Sequence, residues 1–172
     1  MQKRLLVLAA GILQVPVIKK AKEMGIYVIA ADGDKNAVGL QYADKAIVVN
    51  ITSEEDMLRE AREEKIDGVI HPCSEVSMNV MGRLNEELGL SGITREQAIR
   101  ATNKHLMREA FEKGNAPSPK SILTKSAEDA WEQFMTFECD GILKPSRNSG
   151  SRGIAKVCLL YTSDAADEAR SV

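Results

Sequence analysis

Leu5-Leu6-Val7-Leu8-Ala9, followed by Gly11 and then by Val15 to Met24 at helical spacing, decides the fold of this chain. An apolar run without polar alternation fits a strand covered on both faces, as in a parallel sheet. Gly11 makes the turn. Val15, Ile18 and Ala21 then share one helical face, Lys19, Lys20 and Lys22 lie on the wet side, and Gly25 ends the helix as a C′ residue does. Working outward, the same unit recurs. Tyr27–Ala31 is a strand closing on Asp32, and Ala46–Val49 is a third strand. Ser53 with Glu54, Glu55 and Asp56 caps and opens a helix to about Lys65. Ile66–Pro72 is a fourth strand, and a helix from about Ser77 to Leu88 stops at Gly89. This alternation predicts an α/β fold: a parallel-sheet, Rossmann-like domain over residues 1–93 with right-handed crossovers. Ligands of such sheets sit beyond the carboxyl ends of the strands, where Gly11, Asp32 and Cys73-Ser74-Glu75 fall.

A different unit follows. Thr94 caps a helix from about Arg95 to Lys113, interrupted near Asn103, and Gly114-Asn115-Ala116-Pro117-Ser118-Pro119 reads as a boundary loop. Residues 94–116 are therefore expected to connect two domains. Residues 117–157 predict a small α+β subdomain: a strand over Lys120–Thr124, a helix Ala127–Phe137 capped by Ser126, a strand Ile142–Lys144, a loop, and a strand from Ile154.

Composition narrows the function. With 172 residues and 44% hydrophobic content a sizeable core is expected. A net charge of −2 with interspersed basic residues gives no field for nucleic acid or anionic lipid, and 4% aromatic content gives no stacking platform for single strands. Cys73, Cys139 and Cys158 are odd in number and far apart, which supports neither a disulfide framework nor a metal motif. Met1–Ala10 is basic and then apolar, as a signal peptide is. Gly11, Gln14 and Pro16 interrupt it and Lys19-Lys20 follow without a small-residue cleavage site, so a first buried strand explains it better. The expected location is the cytoplasm, with no membrane partner.

Gly141-Ile142-Leu143-Lys144-Pro145 followed by Ser149-Gly150-Ser151-Arg152-Gly153 carries the chemistry. A short apolar strand delivers one lysine, and a supple loop of glycine, serine and arginine follows, an arrangement suited to a polyphosphate. The competing reading is a solvated hairpin. Ile142 and Leu143 are expected to bury their strand, which speaks against Lys144 as a mere edge charge. Ser74-Glu75 reads equally as a helix cap. His71 and His105 lack partners at metal or triad spacing and read as core or surface histidines, and Cys73 reads as a small buried hydrophobe.

Taken in order, these residues resemble the ATP-grasp superfamily, specifically its carbamoyl-phosphate-synthase-like and purine-biosynthetic carboxylate–amine ligases, over about residues 3 to 157. Gly11-Ile12-Leu13-Gln14-Val15-Pro16 resembles the first-strand glycine turn, and Ile66-Asp67-Gly68-Val69 with Ser74-Glu75 the end of the fourth strand. Thr102-Asn103-Lys104 ahead of Met107-Arg108 resembles the segment carrying the first nucleotide lysine. Pro117-Ser118-Pro119-Lys120 resembles the lid entry, Leu143-Lys144-Pro145 the second nucleotide lysine, and Ser149 to Gly153 the glycine-rich phosphate loop. The resemblance implies a pre-ATP-grasp domain followed by part of the ATP-grasp lid. It also implies a carboxylate activated by Mg·ATP as an acyl phosphate and displaced by an amine or ammonia. Lys144 would reach the α/β-phosphates and Lys104 would flank the nucleotide. Ser149, Gly150, Ser151, Arg152 and Gly153 would close over the β/γ-phosphates, with Arg152 as the candidate catalytic clamp on the γ-phosphoryl or the acyl phosphate. Gly11, Ser74 and Glu75 would hold part of the acceptor. The partners implied are small molecules, and a homodimer is compatible with the family.

Two rivals and one departure accompany this reading. Asp32 follows Gly11 at close to the spacing of the ribose-reading acid in dinucleotide folds, which suggests an NAD-dependent oxidoreductase. The turn has one glycine where a pyrophosphate turn wants three, and Leu13 would block the approach. The second rival is a non-catalytic nucleotide-binding module. The departure begins at Cys158-Leu159-Leu160-Tyr161, where residues 158–172 leave the family pattern and resemble translated sequencing-adapter sequence, so a non-native tail is expected. The family's magnesium ligands come after the glycine-rich loop. No metal ligand is therefore expected in this chain, and the polypeptide is expected to lack turnover by itself.

Overall fold

A computed structural model describes residues 2–137 and 139–158. The chain divides between Thr102 and Asn103 into two compact units. In the first, strands β1 (Arg4–Leu8), β2 (Tyr27–Asp32), β3 (Lys45–Val48) and β4 (Gly68–Ile70) form a parallel sheet in the order β3-β2-β1-β4. The chain leaves β1 towards β2 and β3, then returns to β1's other side with β4. This reversal makes the carboxyl ends of β1 and β4 the crevice of the sheet.

Both faces are covered, as the unbroken apolar run of β1 requires. Leu6 and Leu8 point to one side with Ile29, Ala31 and Val69, beneath α2 (Glu54–Glu63) and α3 (Met78–Leu88). Val7 points to the other with Val28 and Ala30, against Ile18 and Ala21 of α1 (Val15–Glu23). Burying each large side chain stabilises the unit by about 1.5–3 kcal/mol.

The caps lie where the sequence puts them. The Ser53 hydroxyl accepts the Asp56 N–H at the head of α2, and Gly89 closes α3 in the left-handed conformation with φ of 63°. Thr94 and Gln97 exchange side-chain and backbone hydrogen bonds, at 3.1 and 2.9 Å, and so open α4 (Arg95–Thr102). Residues 94–102, expected with the connecting segment, pack as α4 against α3 in the first unit. Glu54 of α2 takes Arg83 of α3 and Arg95 of α4, which ties the three helices together.

The second unit begins with α5 (Lys104–Lys113), capped by Asn103, and continues with α6 (Ala127–Phe134), capped by Ser126. Strands β5 (Gly141–Leu143) and β6 (Ala155–Val157) pair antiparallel. α6 rests on β5 where Phe134 lies over Gly141; a Cβ there would stand 3.1 Å from its ring.

Two expectations are corrected here. Residues 120–124 form no strand: Pro117 and Pro119 interrupt donor groups at the entry, and Ile122 and Leu123 lie exposed. Ile142 and Leu143 do not bury their strand but are 57% and 48% exposed, because β5 has only β6 beside it among the described residues. The tail expected to be non-native lies outside the described residues apart from Cys158.

Candidate functional site

In the first unit, the turns after β1 and β4 meet at the crevice. Ala9 takes the positive φ of 67° and Gly11 an extended one, so the strained position of the first turn is not its glycine. What Gly11 supplies is room: a Cβ there would lie 3.1 Å from the Gln14 amide oxygen. Gln14 is buried, and its Nε2 donates to the Pro72 carbonyl at 2.6 Å, bridging the two turns.

His71 braces them from beneath. Its Nδ1 lies 2.9 Å from the Leu8 carbonyl, and its Nε2 accepts the Ser77 N–H at 3.2 Å. A carbonyl only accepts and an amide only donates, so Nδ1 carries the proton and the ring is neutral. Burial lowers its pKa, with the Leu8 carbonyl opposing in part. This is a satisfied core histidine.

Of the acceptor-site candidates, Ser74 accepts the Val76 N–H at 3.4 Å, a local turn bond, and Glu75 is exposed. Cys73, expected to be buried, is exposed and sits at φ of 61°. Gly11, Ser74 and Glu75 thus share one edge of the sheet. Asp32 lies there too, but its carboxylate accepts the N–H groups of Ala10 and Asp34 at 2.7 and 2.9 Å, so its oxygens are spent on the backbone rather than presented to a ribose. Sequence reasoning missed Gln14 and Ser77. A glutamine opening a helix among apolar residues was the available signal for the first, and the second was marked only as the start of a helix.

In the second unit, the loop between β5 and β6 carries the other candidates. Lys144 opens it, exposed, directly after the strand. Gly150, Ser151 and Gly153 take left-handed φ angles of 65°, 57° and 71°, which turn successive peptide groups as an anion-holding concavity needs. Arg152 Nε donates to the Ser149 carbonyl at 3.2 Å, and Asn148 Nδ2 to the Arg152 carbonyl at 3.3 Å. Lys104 comes to the same loop from α5: its N–H donates to the Ser146 carbonyl at 2.8 Å and its ammonium to the Asn148 carbonyl. The loop therefore gathers Lys104, Lys144 and Ser149 to Gly153, distant in sequence, within one unit. Among the described residues no group of three or more His, Cys, Asp or Glu side chains is placed to hold a metal ion, and no helix is long and apolar enough to cross a membrane.

No protein-family model matches the sequence. The chain is 26% identical over 154 residues to a formate-dependent phosphoribosylglycinamide formyltransferase of Prochlorococcus marinus (strain MIT 9515), covering 88% of this chain and 39% of that protein. Phosphoribosylglycinamide synthetase of Anaerococcus prevotii superposes with a TM-score of 0.75 at 24% identity, over 96% of this chain and 41% of the other. N5-carboxyaminoimidazole synthetase of Staphylococcus aureus, solved with ADP, gives a TM-score of 0.78 at 14% identity, over 96% and 44%.

This is the amino-terminal portion of an ATP-grasp fold. The chain spans about two fifths of the length of the curated relatives it matches, and within that span the ATP-grasp fold expected from the glycine turn, the two lysines and the loop is borne out. By name these relatives are a formate-dependent formyltransferase and two synthetases.

Proposed function

We propose that this chain supplies the phosphate-holding part and one edge of the acceptor site of an ATP-dependent carboxylate–amine ligase acting in the cytoplasm. The observation that carries the reading is the convergence of Lys104 on the loop that Lys144 opens, where three left-handed residues curve the backbone. Lys144 holds the phosphates of ATP, Lys104 flanks the nucleotide, Ser149 to Gly153 cover the phosphates, and Arg152 neutralises charge on the phosphoryl that moves. ATP with magnesium supplies the leaving group that makes a carboxylate oxygen displaceable by an amine or ammonia. That the curated relatives are formate-dependent supports a carboxylate substrate. Gly11, Ser74 and Glu75 line the acceptor edge.

Equilibrium binding to the 172-residue chain tests this. The expected result is that ATP and inorganic tripolyphosphate compete for one site and that NAD does not. A folded chain that binds neither refutes the reading. ADP release dependent on an added carboxylate, measured in a protein with the full span of the relatives, separates a ligase from a non-catalytic nucleotide binder.

A further inference from the structure

We propose that Lys104 is a positioning residue that fastens the 146–153 turn to the amino-terminal end of α5 before any nucleotide is present. The inference rests on reading that turn as a polyphosphate holder, though the fastening itself is testable without nucleotide.

The first amides of α5 are used inside the chain. Lys104 N–H donates to the Ser146 carbonyl at 2.8 Å, His105 and Leu106 N–H to Asn103 Oδ1 at 3.0 and 3.2 Å, and Met107 N–H to the Asn103 carbonyl at 2.9 Å. The positive end of this helix is thus turned to its cap and to the loop, not to a ligand. The Lys104 ammonium then takes the Asn148 carbonyl, further along the same limb. One residue grips the loop twice, through main chain and side chain.

Beyond the grip the tip closes through Asn148 and Arg152. A turn built on Gly150, Ser151 and Gly153 has wide conformational freedom when unattached, and ordering it only on binding would weaken affinity. Fixing its base in advance removes part of that cost.

Trypsin reads the fastening directly, because it cuts after Arg147 and Arg152 but not after Lys144, where Pro145 follows. Without nucleotide, Lys104→Met is expected to speed cleavage at Arg147 and Arg152 about fivefold relative to cleavage after Lys125, the effect of losing one hydrogen bond that holds a closed state. Lys104→Arg, which keeps a cationic donor, is expected to restore the wild-type ratio. An unchanged ratio in the Met variant overturns the proposal, and so does equal acceleration at every site, which reports lost folding instead. Tripolyphosphate is titrated in parallel. If the ratio shifts but tripolyphosphate does not bind, the fastening stands and the nucleotide reading falls.

Discussion

The carboxylate of Asp32 accepts the backbone N–H of Ala10 at 2.7 Å and so ties the end of β2 to the turn that follows β1. Its second oxygen takes the N–H of Asp34. An acid at this position is a structural clasp. Asp32→Ala is therefore expected to lower stability by roughly 1–3 kcal/mol, the cost of leaving polar groups unpaired. Denaturant unfolding measures the loss, and tripolyphosphate affinity should stay at the wild-type value. A change in affinity with unchanged stability would return Asp32 to the ligand.

His71 gives a pH dependence. Burial holds its folded pKa below the ordinary value of 6.5, so the unfolded chain binds the extra proton first as pH falls. Stability is complete above that ordinary value and declines as pH drops from about 6.5 towards the lowered folded pKa. Urea midpoints at pH 7.5 and 5.5 are expected to differ in wild type. His71→Gln should be less stable at pH 7.5 and lose most of that difference. Aspartates and glutamates with lowered pKa, such as Asp44 and Glu64, act at more acidic pH.

Lys144 stands exposed at the head of the loop, so its removal tests charge without disturbing a core. Lys144→Ala is expected to leave the unfolding midpoint unchanged and to weaken ATP binding roughly tenfold or more, the value of one charge-assisted contact. Isothermal titration of both proteins decides it. Lys104→Ala is expected to weaken binding less. Equal and negligible losses from both variants would discredit the assigned roles.

Gly82 is where α3 and α4 touch. A Cβ there would lie 2.8 Å from both the Thr94 carbonyl oxygen and the Arg95 Cα. These are backbone atoms that cannot swing away, so Gly82→Ala is expected to cost roughly 1–3 kcal/mol despite alanine's better helix propensity. A midpoint at or above wild type would show that the helices separate freely.

The first unit was legible because its signals agree. The unbroken apolar run of Leu5–Ala9 required cover on two faces, and Ser53, Gly89 and Thr94 marked helix ends by capping chemistry that depends on local sequence alone. The second unit was less so. Ile122, Leu123, Ile142 and Leu143 are apolar enough to suggest buried strands, yet whether a strand is buried depends on what packs over it, and no local pattern carries that information. The site divides in the same way. The loop and its lysines were visible as residue types, while Asp32 looked functional by spacing and proved to be spent on backbone amides. The contact of Lys104 with Asn148 joins segments too distant in sequence for spacing to reveal.

The bracing of the crevice by Gln14 and His71 has an evolutionary consequence. Gln14 holds the rim of the sheet through a main-chain carbonyl, and His71 through a main-chain carbonyl and an amide, groups that every amino acid except proline provides in full. The exposed positions Ile12, Leu13, Glu75 and Val76 are consequently at liberty to change identity while the platform beneath keeps its shape, so the chemistry of this rim can be altered by a handful of surface replacements without disturbing the sheet.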